Sequence, residues 1–555
     1  MKIRSTQLGR REALNTFRHT AMKSPTQPRP PGASRRRHWL CVAYAFPPIN
    51  RSGTHRTLAF VKHLDRLGWD ATVITVEPGE EPLDNGLLAD VPESARIIRT
   101  PWTDVIAEAK RICGVGPPRT NSDRLRKKPP RMWDRVSSRS SGQERAHFDG
   151  PQSPSHGFAQ QAPTPAPSTC DAAPAHIAEE DESRPQRTLR EYVSRWMLTP
   201  DSRIGWVAPA VRAGLCAVRR RRPDVIYSTS PYMSAHLIAL LLSYRSGIPW
   251  TADFRDPWRD NPFRSPGFST LERWDAFLER TVLRRATQVI CTTPTMTARL
   301  CARVPSLKHK CRTIMNGFDA EKFADIEPAR GPHAEFVFAH AGQFYGPRRP
   351  QLWFAALRKA LDALPENHRH ISMLLVGPGR AEGTPLQELA AAHGVAANVH
   401  VLGRRSHRES LAYLAGSDVL VLAGASGDGG ELQVPNKLFE YIALRKPIIA
   451  AVAQTSPAVD VLREARAPSI VCDACDVGAM AQAFVRFAQG ETLATADSWS
   501  GLARFDRKHR ASELANVFES ISATGKKHKP SRSRVLGSRM PVGSVTQGIS
   551  ALDAT

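Results

Sequence analysis

A glycine-rich loop that runs directly into a helical pattern is the segment of this chain best suited to binding a ligand. The loop reads Gly-Asp-Gly-Gly-Glu-Leu-Gln from residue 427, and Val-Pro-Asn-Lys-Leu-Phe-Glu-Tyr-Ile-Ala follows over residues 434–443. Glu440 falls in the first turns of the helix, where its carboxylate can accept hydrogen bonds from both hydroxyls of a ribose. A plain helix-capping glutamate is the alternative. The segment therefore predicts a nucleotide site, with Leu438 and Phe439 contributing to the core on the opposite side of the helix.

Three other loops carry glycines or arginines directly after a predicted strand. Gly342 begins the loop Gly-Gln-Phe-Tyr-Gly-Pro-Arg-Arg, which ends in Arg348 and Arg349 at the start of a helix. Forked guanidinium donors and the helix dipole would together neutralise a diphosphate there. Gly53 and Gly377 would let the backbone approach an anion or a sugar closely. A solvated basic turn and ordinary turn glycines are the alternatives.

The apolar pattern around these loops alternates short buried strands with helices. A strand at His38–Tyr44, a helix at Thr57–Leu67 and a strand at Ala71–Val76 form a βαβ unit, which predicts a parallel sheet. A second series of the same kind starts near Glu335. Ligands of open parallel sheets bind beyond the carboxyl ends of the strands. The predicted fold class is therefore α/β, with two tandem Rossmann-like domains that face one cleft.

The composition divides the chain into five parts. Segments rich in Arg, Pro and Ser with few large apolar residues are expected to be disordered. The expected parts are a disordered basic tail at 1–37, a first Rossmann-like domain at 38–320 with a disordered insertion at 116–188, a second Rossmann-like domain at 321–500, a C-terminal helix at 501–524 that returns to the first domain, and a disordered basic tail at 525–555.

The net charge of +24 at first favours a nucleic-acid-binding protein. Most of this charge, however, lies in three segments that are expected to be disordered: residues 1–37 carry +9, residues 116–150 carry +5 and residues 525–555 carry +5. The folded part is only mildly basic, so no nucleic-acid partner is predicted. The basic tails would suit contact with an anionic membrane surface, and tails that merely aid solubility are the alternative.

Other features of the sequence favour a cytoplasmic protein, with peripheral attachment to the inner membrane face as a further option. No apolar run approaches the ~20 residues that a transmembrane helix requires. The nine cysteines have no spacing typical of a disulfide framework. Cys472 and Cys475 have the spacing of a zinc or redox pair, but no second pair or nearby histidine completes a site, and no metal is predicted.

Several short motifs, taken in order, resemble those of one enzyme family. They are Phe46-Pro-Pro with Gly53, Pro223–Tyr227, Asn316–Asp319, Leu375–Gly379, Ser417–Leu420, and Val434–Tyr441 with Lys446-Pro447. Their order and spacing resemble family 4 of the retaining glycosyltransferases, which have the two-domain GT-B fold. The resemblance covers about residues 38–115 and 190–520. It implies that the domain at 38–320 is on the acceptor side and that the domain at 321–500 binds the nucleotide sugar. Ser228–Pro231 and Ala252–Trp258 are similar to a branch common among enzymes that build surface polysaccharides.

The resemblance implies transfer of a sugar from a UDP- or GDP-linked donor to a glycan or lipid-linked acceptor, with retention of configuration. No cofactor is implied beyond the donor, and no metal is required because arginines and helix N-termini would stabilise the leaving nucleoside diphosphate. The residues expected to bind the donor are Gly53, Gly342, Gly377, Arg404 near the base, and Asn436, Leu438 and Glu440 on the donor segment. Arg348 and Arg349 would hold the diphosphate.

The chain departs from the family pattern at two places. Many members carry two glutamates seven residues apart, and the partner of Glu440 would fall on Leu432, so we predict that the adjacent Glu431 serves instead. Many members also have a histidine near the end of the strand that ends here in Ser-Thr-Ser. Asp253 and Asp256 are the nearest polar candidates, and Asp256 is predicted to contact the sugar or the acceptor. A structural pair of Asp256 with a neighbouring arginine is the alternative.

Two rival functions remain open at this point. A nucleotide-sugar epimerase on the same fold would use the same donor pocket with no acceptor. A degenerate transferase domain would bind without catalysis, and the two departures from the family pattern favour it slightly.

Overall fold

Two parallel sheets, formed one after the other along the chain, make up the fold. The computed structural model describes residues 35–79, 81–105, 194–261, 269–331, 336–346, 348–366, 368–424 and 432–527. The predicted disordered insertion lies outside these residues, as does nearly all of the two predicted tails. The first strand begins at Arg37 and the last helix ends at Lys527, so the predicted tails overlap an element by one residue at 1–37 and by three residues at 525–555.

The first sheet has seven parallel strands in the order β3-β2-β1-β4-β5-β6-β7. The strands are β1 Arg37–Ala43, β2 Trp69–Val76, β3 Arg96–Thr100, β4 Val225–Thr229, β5 Trp250–Phe254, β6 Gln288–Cys291 and β7 Cys311–Thr313. The central strands are buried along their whole length. Helices cover both faces of such a sheet, which is why these strands are almost continuously apolar.

Among the described residues, six long helices cover the two faces of the first sheet. They are α1 Ser52–Arg66, α2 Val207–Arg220, α3 Ser234–Ser246, α4 Ser269–Arg285, α5 Pro294–Arg303 and α12 Arg507–Lys527. On one face, α1 and α12 pack against Trp39, Cys41 and Val73. On the other face, α2 to α5 pack against Leu40 and Val42, the residues that alternate with them along β1.

The second sheet has six parallel strands in the order β12-β9-β8-β13-β14-β15. Its strands are β8 Phe336–Ala341, β9 Ile371–Val376, β12 Val399–Gly403, β13 Val419–Ala423, β14 Ile448–Ala451 and β15 Ser469–Cys472. Between β9 and β12, the strands β10 Arg380–Ala381 and β11 Thr384–Pro385 form a separate small hairpin. Its helices are α6 Pro350–Ala363, α7 Leu386–Ala392, α8 His407–Ala415, α9 Asn436–Ala443, α10 Pro457–Ala465 and α11 Val477–Ala488. The prediction of two tandem parallel α/β domains is confirmed.

The chain passes between the domains twice, and the two passages run side by side. The backbone N–H of Phe318 donates to the carbonyl of Phe505 over 3.0 Å, and the N–H of Arg507 donates to the carbonyl of Phe318 over 2.8 Å. Gly317 leaves no room for a Cβ atom, because the Phe505 carbonyl occupies that space. After the second passage, α12 packs against α1 of the first domain. None of the helices within the described residues is long and apolar enough to cross a membrane.

Candidate active site

The two domains meet where helices α1 and α9 begin. Asn436, the first residue of α9, donates from Nδ2 to the backbone carbonyl of Ser52, the first residue of α1, over 3.2 Å. Close by, the Thr293 side chain caps α5 and its hydroxyl also donates to the carbonyl of Leu432 over 2.9 Å. The donor segment predicted from the sequence therefore lies against the first domain at two points.

Glu440 occupies the outer side of α9, next to the first residue of α8. Nε2 of His407 lies 2.9 Å from Oε1 of Glu440, and each side chain is 26% exposed. Ser406 and Glu409 form a capping box that fixes the start of α8 and therefore the position of His407. Burial alone would raise the pKa of Glu440, but the hydrogen bond from His407 and nearby positive charges outweigh it and lower the pKa. Glu440 is therefore a carboxylate at neutral pH, able to accept further hydrogen bonds.

The ring of His407 also contacts the first domain. It stacks on the ring of His55 in α1, with 5.2 Å between centroids and 29° between planes. Nε2 of His55 lies 3.2 Å from Oδ1 of Asn50. Burial, reinforced by cationic neighbours, lowers the pKa of His55 to about 3, so this ring is neutral at physiological pH. A chain of side chains, from His55 through His407 to Glu440, thus joins the two domains.

Lys437 projects from the first turn of α9 towards the loop after β8. A Cβ atom on Gly342, whose φ is +120°, would lie 2.6 Å from Nζ of Lys437. Nδ1 of His340 lies 2.9 Å from the carbonyl oxygen of Val421 and therefore carries the ring proton, so Nε2 accepts from Nζ of Lys437 over 3.2 Å. Burial, reinforced by the charge of Arg348, lowers the pKa of Lys437 to about 7.

The two predicted diphosphate-binding arginines take different positions. The guanidinium of Arg348 lies 4.9 Å from the ring centroid of Tyr345, and its Nη1 donates to the Tyr345 hydroxyl over 2.8 Å. Nε of Arg348 is buried and has no hydrogen-bond partner among the described residues. Arg349 is exposed and directly precedes α6. Arg348 is thus the one that adds positive charge beside Lys437.

Glycines at the ends of three neighbouring strands pack against one another. The N–H of Gly342 donates to the carbonyl of Val376 over 2.7 Å, and the N–H of Gly377 donates to the carbonyl of Gly403 over 3.0 Å. A side chain at Gly377 would collide with the carbonyl of Gly342. Gly377 is therefore required by the close approach of two loops. Arg404, directly after Gly403, is exposed at this edge of the sheet.

Gly53 lies in the first turn of α1, under the side chain of Arg255. A Cβ atom at Gly53 would lie 2.5 Å from Nη1 of Arg255, which is buried without a hydrogen-bond partner among the described residues. Nη2 of Arg255 donates to Oδ2 of Asp256 over 3.0 Å. The structural pair that was the alternative for Asp256 is therefore present. The Asp256 side chain nevertheless remains 25% exposed in the loop after β5.

Asp253, the other acidic candidate, is fully buried and has no role on the surface of the cleft. Arg56 of α1 binds it with two hydrogen bonds of 3.0 and 3.1 Å. The hydroxyls of Tyr227 and Thr229 also donate to it. The same guanidinium donates to three oxygens of the segment that leaves the first domain, including Oδ1 of Asn316 over 3.0 Å. Asp253 therefore fixes α1 to the sheet and to the interdomain connection.

The serines at the end of β4 do not reach the cleft surface. Ser228 is fully buried, its hydroxyl lies 2.8 Å from Nδ1 of His236, and it accepts from Nε1 of Trp250 over 2.8 Å. The His236 ring stacks on Phe254 with 4.6 Å between centroids. This histidine belongs to the core beneath the strand end.

Two residues predicted for the site contribute no side chain to the described cleft. Leu438 is fully buried in the core of the second domain, together with Phe439. Glu431 lies outside the described residues, whereas Leu432, the position of the usual second glutamate, is buried. Among the residues that the structure describes, no group of three His, Cys, Asp or Glu side chains is arranged to hold a metal ion.

Two family models match the chain, one in each domain. A model described as "Glycosyl transferase 4-like domain" matches residues 169–317, and a model described as "Glycosyl transferases group 1" matches residues 335–489. The chain is a glycosyltransferase of the GT-B type. The fold and the enzyme class predicted from the motifs are confirmed at this level. No match was found among curated proteins.

Solved structures share the architecture of this glycosyltransferase at low sequence identity. Sucrose-phosphate synthase from Thermosynechococcus elongatus has a TM-score of 0.53 and 13% identity, covering 88% of this chain and 100% of its own. An α,α-trehalose-phosphate synthase (UDP-forming) from Burkholderia xenovorans, in complex with glucose-6-phosphate, has a TM-score of 0.52 and 10% identity, covering 87% and 100%. The N-terminal domain of Candida albicans trehalose-6-phosphate phosphatase has a TM-score of 0.52 and 12% identity, covering 90% and 100%. These likenesses concern the fold alone.

Three residues of this glycosyltransferase that line the cleft were not singled out from the sequence. Lys437 lies inside the donor motif, one position after Asn436. Its place in the first turn of a helix was the sequence feature that could have identified it as a site residue. His55 and His407 follow predicted loops by a few residues, but their stacking joins positions 352 residues apart in the chain. No local pattern reports such a contact.

Proposed function

We propose that this glycosyltransferase moves a sugar from a UDP- or GDP-linked donor to a glycan or lipid-linked acceptor in surface polysaccharide synthesis, with retention of configuration. The observation that carries the proposal is the position of Glu440. Its carboxylate stands on the outer side of the donor segment, beside the contact between the two domains, and its pKa is lowered. A charged acceptor in that place suits the ribose of a bound nucleotide.

The ribose would bind to the oxygen of Glu440 that His407 leaves available. Oε1 of Glu440 accepts from His407, and Oε2 would accept from a ribose hydroxyl. Arg404, exposed at the neighbouring strand end, would lie near the base. The nucleotide half of the donor would thus rest on the second domain, with His55 of the first domain supporting His407.

The diphosphate would bind where Lys437 faces the loop that starts at Gly342. Lys437 and Arg348 supply positive charge there, and the first turns of α6 and α9 contribute backbone N–H groups. Positive charge placed beforehand at the leaving nucleoside diphosphate lowers the barrier to breaking the glycosidic bond. We propose that these groups, rather than a metal ion, perform this task. Arg349, exposed at the rim, would assist.

The acceptor would bind against the first domain. Gly53 directly follows Ser52, which contacts Asn436 at the start of α9, and the pair of Arg255 and Asp256 lies beside Gly53. Asp256, a quarter exposed, would orient the acceptor hydroxyl or the transferred sugar. Because the donor and the acceptor approach from different domains, both substrates would be needed to complete the site. We place the enzyme in the cytoplasm, where nucleotide sugars are made, with contact to the inner membrane face.

A thermal-shift panel of UDP, GDP, ADP and CDP tests the donor assignment, since a ligand that binds the native state raises its melting temperature. We expect UDP or GDP to give the largest shift and Glu440→Gln to reduce it. Incubation with the matching nucleotide sugar then separates the remaining functions. An epimerised sugar formed without acceptor would establish an epimerase instead. Nucleotide binding with neither transfer nor hydrolysis on any acceptor would establish a degenerate binding domain.

A further inference from the structure

The outer surface of helices α3 and α4 concentrates exposed apolar side chains. Within the described residues, eight large hydrophobic side chains are exposed, and four of them lie on α3 and α4. They are Leu241 (42% exposed), Tyr244 (76%), Trp274 (40%) and Phe277 (55%). Single exposed hydrophobic residues are ordinary on a protein surface, whereas a grouping on adjacent helices indicates an interaction site.

These four side chains form two pairs on neighbouring helices. Leu241 and Tyr244 are three residues apart on α3, and Trp274 and Phe277 are three apart on α4, so each pair lies on one side of its helix. The rings of Trp274 and Phe277 stack with 5.3 Å between centroids and 19° between planes. Helix α3 packs between α2 and α4. We call the solvent-exposed surface of these three helices the α2–α4 face.

The same face carries a high density of positive charge. Helices α2, α3 and α4 contain eight exposed arginines, namely Arg212, Arg219, Arg220, Arg245, Arg273, Arg280, Arg284 and Arg285. Within the part of the chain that the structure describes, none of them forms an ion pair with another side chain.

Acidic side chains on these helices do not balance that charge. There are three, all on α4, and only Glu272 is exposed. Glu279 is buried and accepts from Arg303 over 2.8 Å. Asp275 accepts from Nε1 of Trp258 over 2.8 Å. The α2–α4 face therefore presents many cations and few anions to its surroundings.

We propose that the α2–α4 face binds the surface of an anionic lipid bilayer. Tryptophan and tyrosine prefer the boundary between headgroups and acyl chains, and leucine and phenylalanine side chains bury apolar area there. Arginines around such aromatic rings attract anionic headgroups. A second copy of the same face is a poor partner, because a two-fold interface would bring eight arginines against eight. The combination of apolar and cationic side chains matches a bilayer, which offers both an apolar interior and negative charge.

The α2–α4 face belongs to the domain that is proposed to bind the acceptor. The hydrogen bond between Trp258 and Asp275 ties α4 to the loop after β5 that contains Asp256. A bilayer bound to α4 would therefore lie on the domain proposed to receive the acceptor. The idea that the bilayer supplies a lipid-linked acceptor to this enzyme rests on the proposed function. Membrane binding by the α2–α4 face does not rest on it, because this binding can be measured with no substrate present.

Co-sedimentation of the full chain with vesicles tests the proposal. We expect the protein to pellet with phosphatidylcholine vesicles that contain about one third phosphatidylglycerol, and far less with phosphatidylcholine alone. Replacing three arginines (Arg245→Gln, Arg273→Gln and Arg280→Gln) should lower the partition coefficient about 100-fold. The double variant Trp274→Ser with Phe277→Ser should lower it about tenfold.

Matched control variants remove similar groups elsewhere on the surface. Arg96→Gln, Lys359→Gln and Lys508→Gln delete three exposed charges, and Leu67→Ser with Leu88→Ser deletes two exposed apolar side chains. Both controls should pellet as the parent does. Melting curves of all variants establish that they fold.

Equal losses in the test and control variants would overturn the proposal, as would unchanged pelleting of the α2–α4 variants. Binding that does not depend on phosphatidylglycerol would overturn it too. Light scattering provides a further check: a dimeric parent that the Trp274 and Phe277 changes convert to a monomer, with pelleting intact, would assign this face to a second copy of the chain.

Discussion

Nε2 of His407 donates a hydrogen bond to Oε1 of Glu440 over 2.9 Å, and this contact joins the start of α8 to the outer side of α9. Glu440 can only accept, because its lowered pKa keeps it ionised. The contact therefore fixes the rotamer of the carboxylate and leaves Oε2 directed elsewhere. The stacked ring of His55 adds a contact from the first domain. The geometry of the proposed ribose site thus depends on side chains from three helices.

Removal of the Glu440 charge should weaken nucleotide binding. A hydrogen bond to a charged group contributes about 1.5–3 kcal/mol, so Glu440→Gln should lower the affinity for the nucleoside diphosphate about tenfold or more. Isothermal titration calorimetry measures the change. Glu388→Gln, which alters an exposed glutamate on α7, should leave the affinity as it is. Equal affinities for the Glu440 variant and the parent would place the nucleotide elsewhere.

His407 should act on donor binding through the position of Glu440. His407→Ala removes the hydrogen bond and should raise KM for the nucleotide sugar about fivefold, with a smaller effect on kcat. His407→Gln can restore a donor to Oε1 and should recover most of the loss. Steady-state kinetics with the donor as the varied substrate separates the two parameters. A fall in kcat with KM unchanged, not rescued by Gln, would show that the hydrogen bond has no role in placing the ribose.

Donor binding should weaken as pH rises through neutrality, because Lys437 loses its proton there. Its pKa is lowered to about 7, so the free protein carries the ammonium below this pH and the neutral amine above it. An anionic diphosphate binds better to the charged form. Titration with an intact nucleotide sugar between about pH 6 and 9 should therefore show affinity falling with pH. Lys437→Met should bind the nucleotide sugar with low affinity, and this affinity should not change with pH. If the affinity of this variant falls with pH as steeply as that of the parent, the pH dependence belongs to another group.

The buried pair of Arg56 and Asp253 should contribute to stability rather than to chemistry. Asp253→Ala leaves a buried guanidinium without its partner, which costs about 3–5 kcal/mol of folding free energy. A lower melting temperature and a lower midpoint of urea unfolding are the expected results. Asp256→Asn keeps an acceptor oxygen for the buried Arg255, so it should leave both close to those of the parent and instead reduce sugar transfer. Similar losses of stability in both variants would contradict the distinction.

The comparison of these two aspartates shows what sequence reasoning could and could not reach. Both stand in the motif Ala-Asp-Phe-Arg-Asp-Pro-Trp, and nothing in their local sequence separates them. Asp253 is buried because β5 continues to Phe254 and because Arg56, 197 residues earlier in the chain, reaches it. Asp256 lies beyond the strand end, where the sheet no longer covers it.

The elements and the donor segment, by contrast, were predictable from local patterns. Apolar runs of strand length, glycines after them and the helical spacing around Glu440 are properties of short stretches of chain, and they predicted the two sheets and the place of α9. Arg348 and Arg349 are adjacent and chemically identical, yet one folds back on Tyr345 and the other is exposed. Residue spacing alone does not report that difference.

The side-by-side passages between the domains have a mechanical consequence. Because Phe318 hydrogen-bonds to Phe505 and Arg507, the two connections form a single short ribbon, and relative rotation of the domains would be concentrated at this ribbon. The two domains would rotate about this ribbon as rigid bodies, with little change inside either sheet. Contacts across the opening, such as that of Asn436 with Ser52, would separate during such a turn, while the ribbon itself stays paired. Substrate entry and product exit would then require Asn436 to separate from Ser52, Leu432 from Thr293 and the ring of His407 from that of His55.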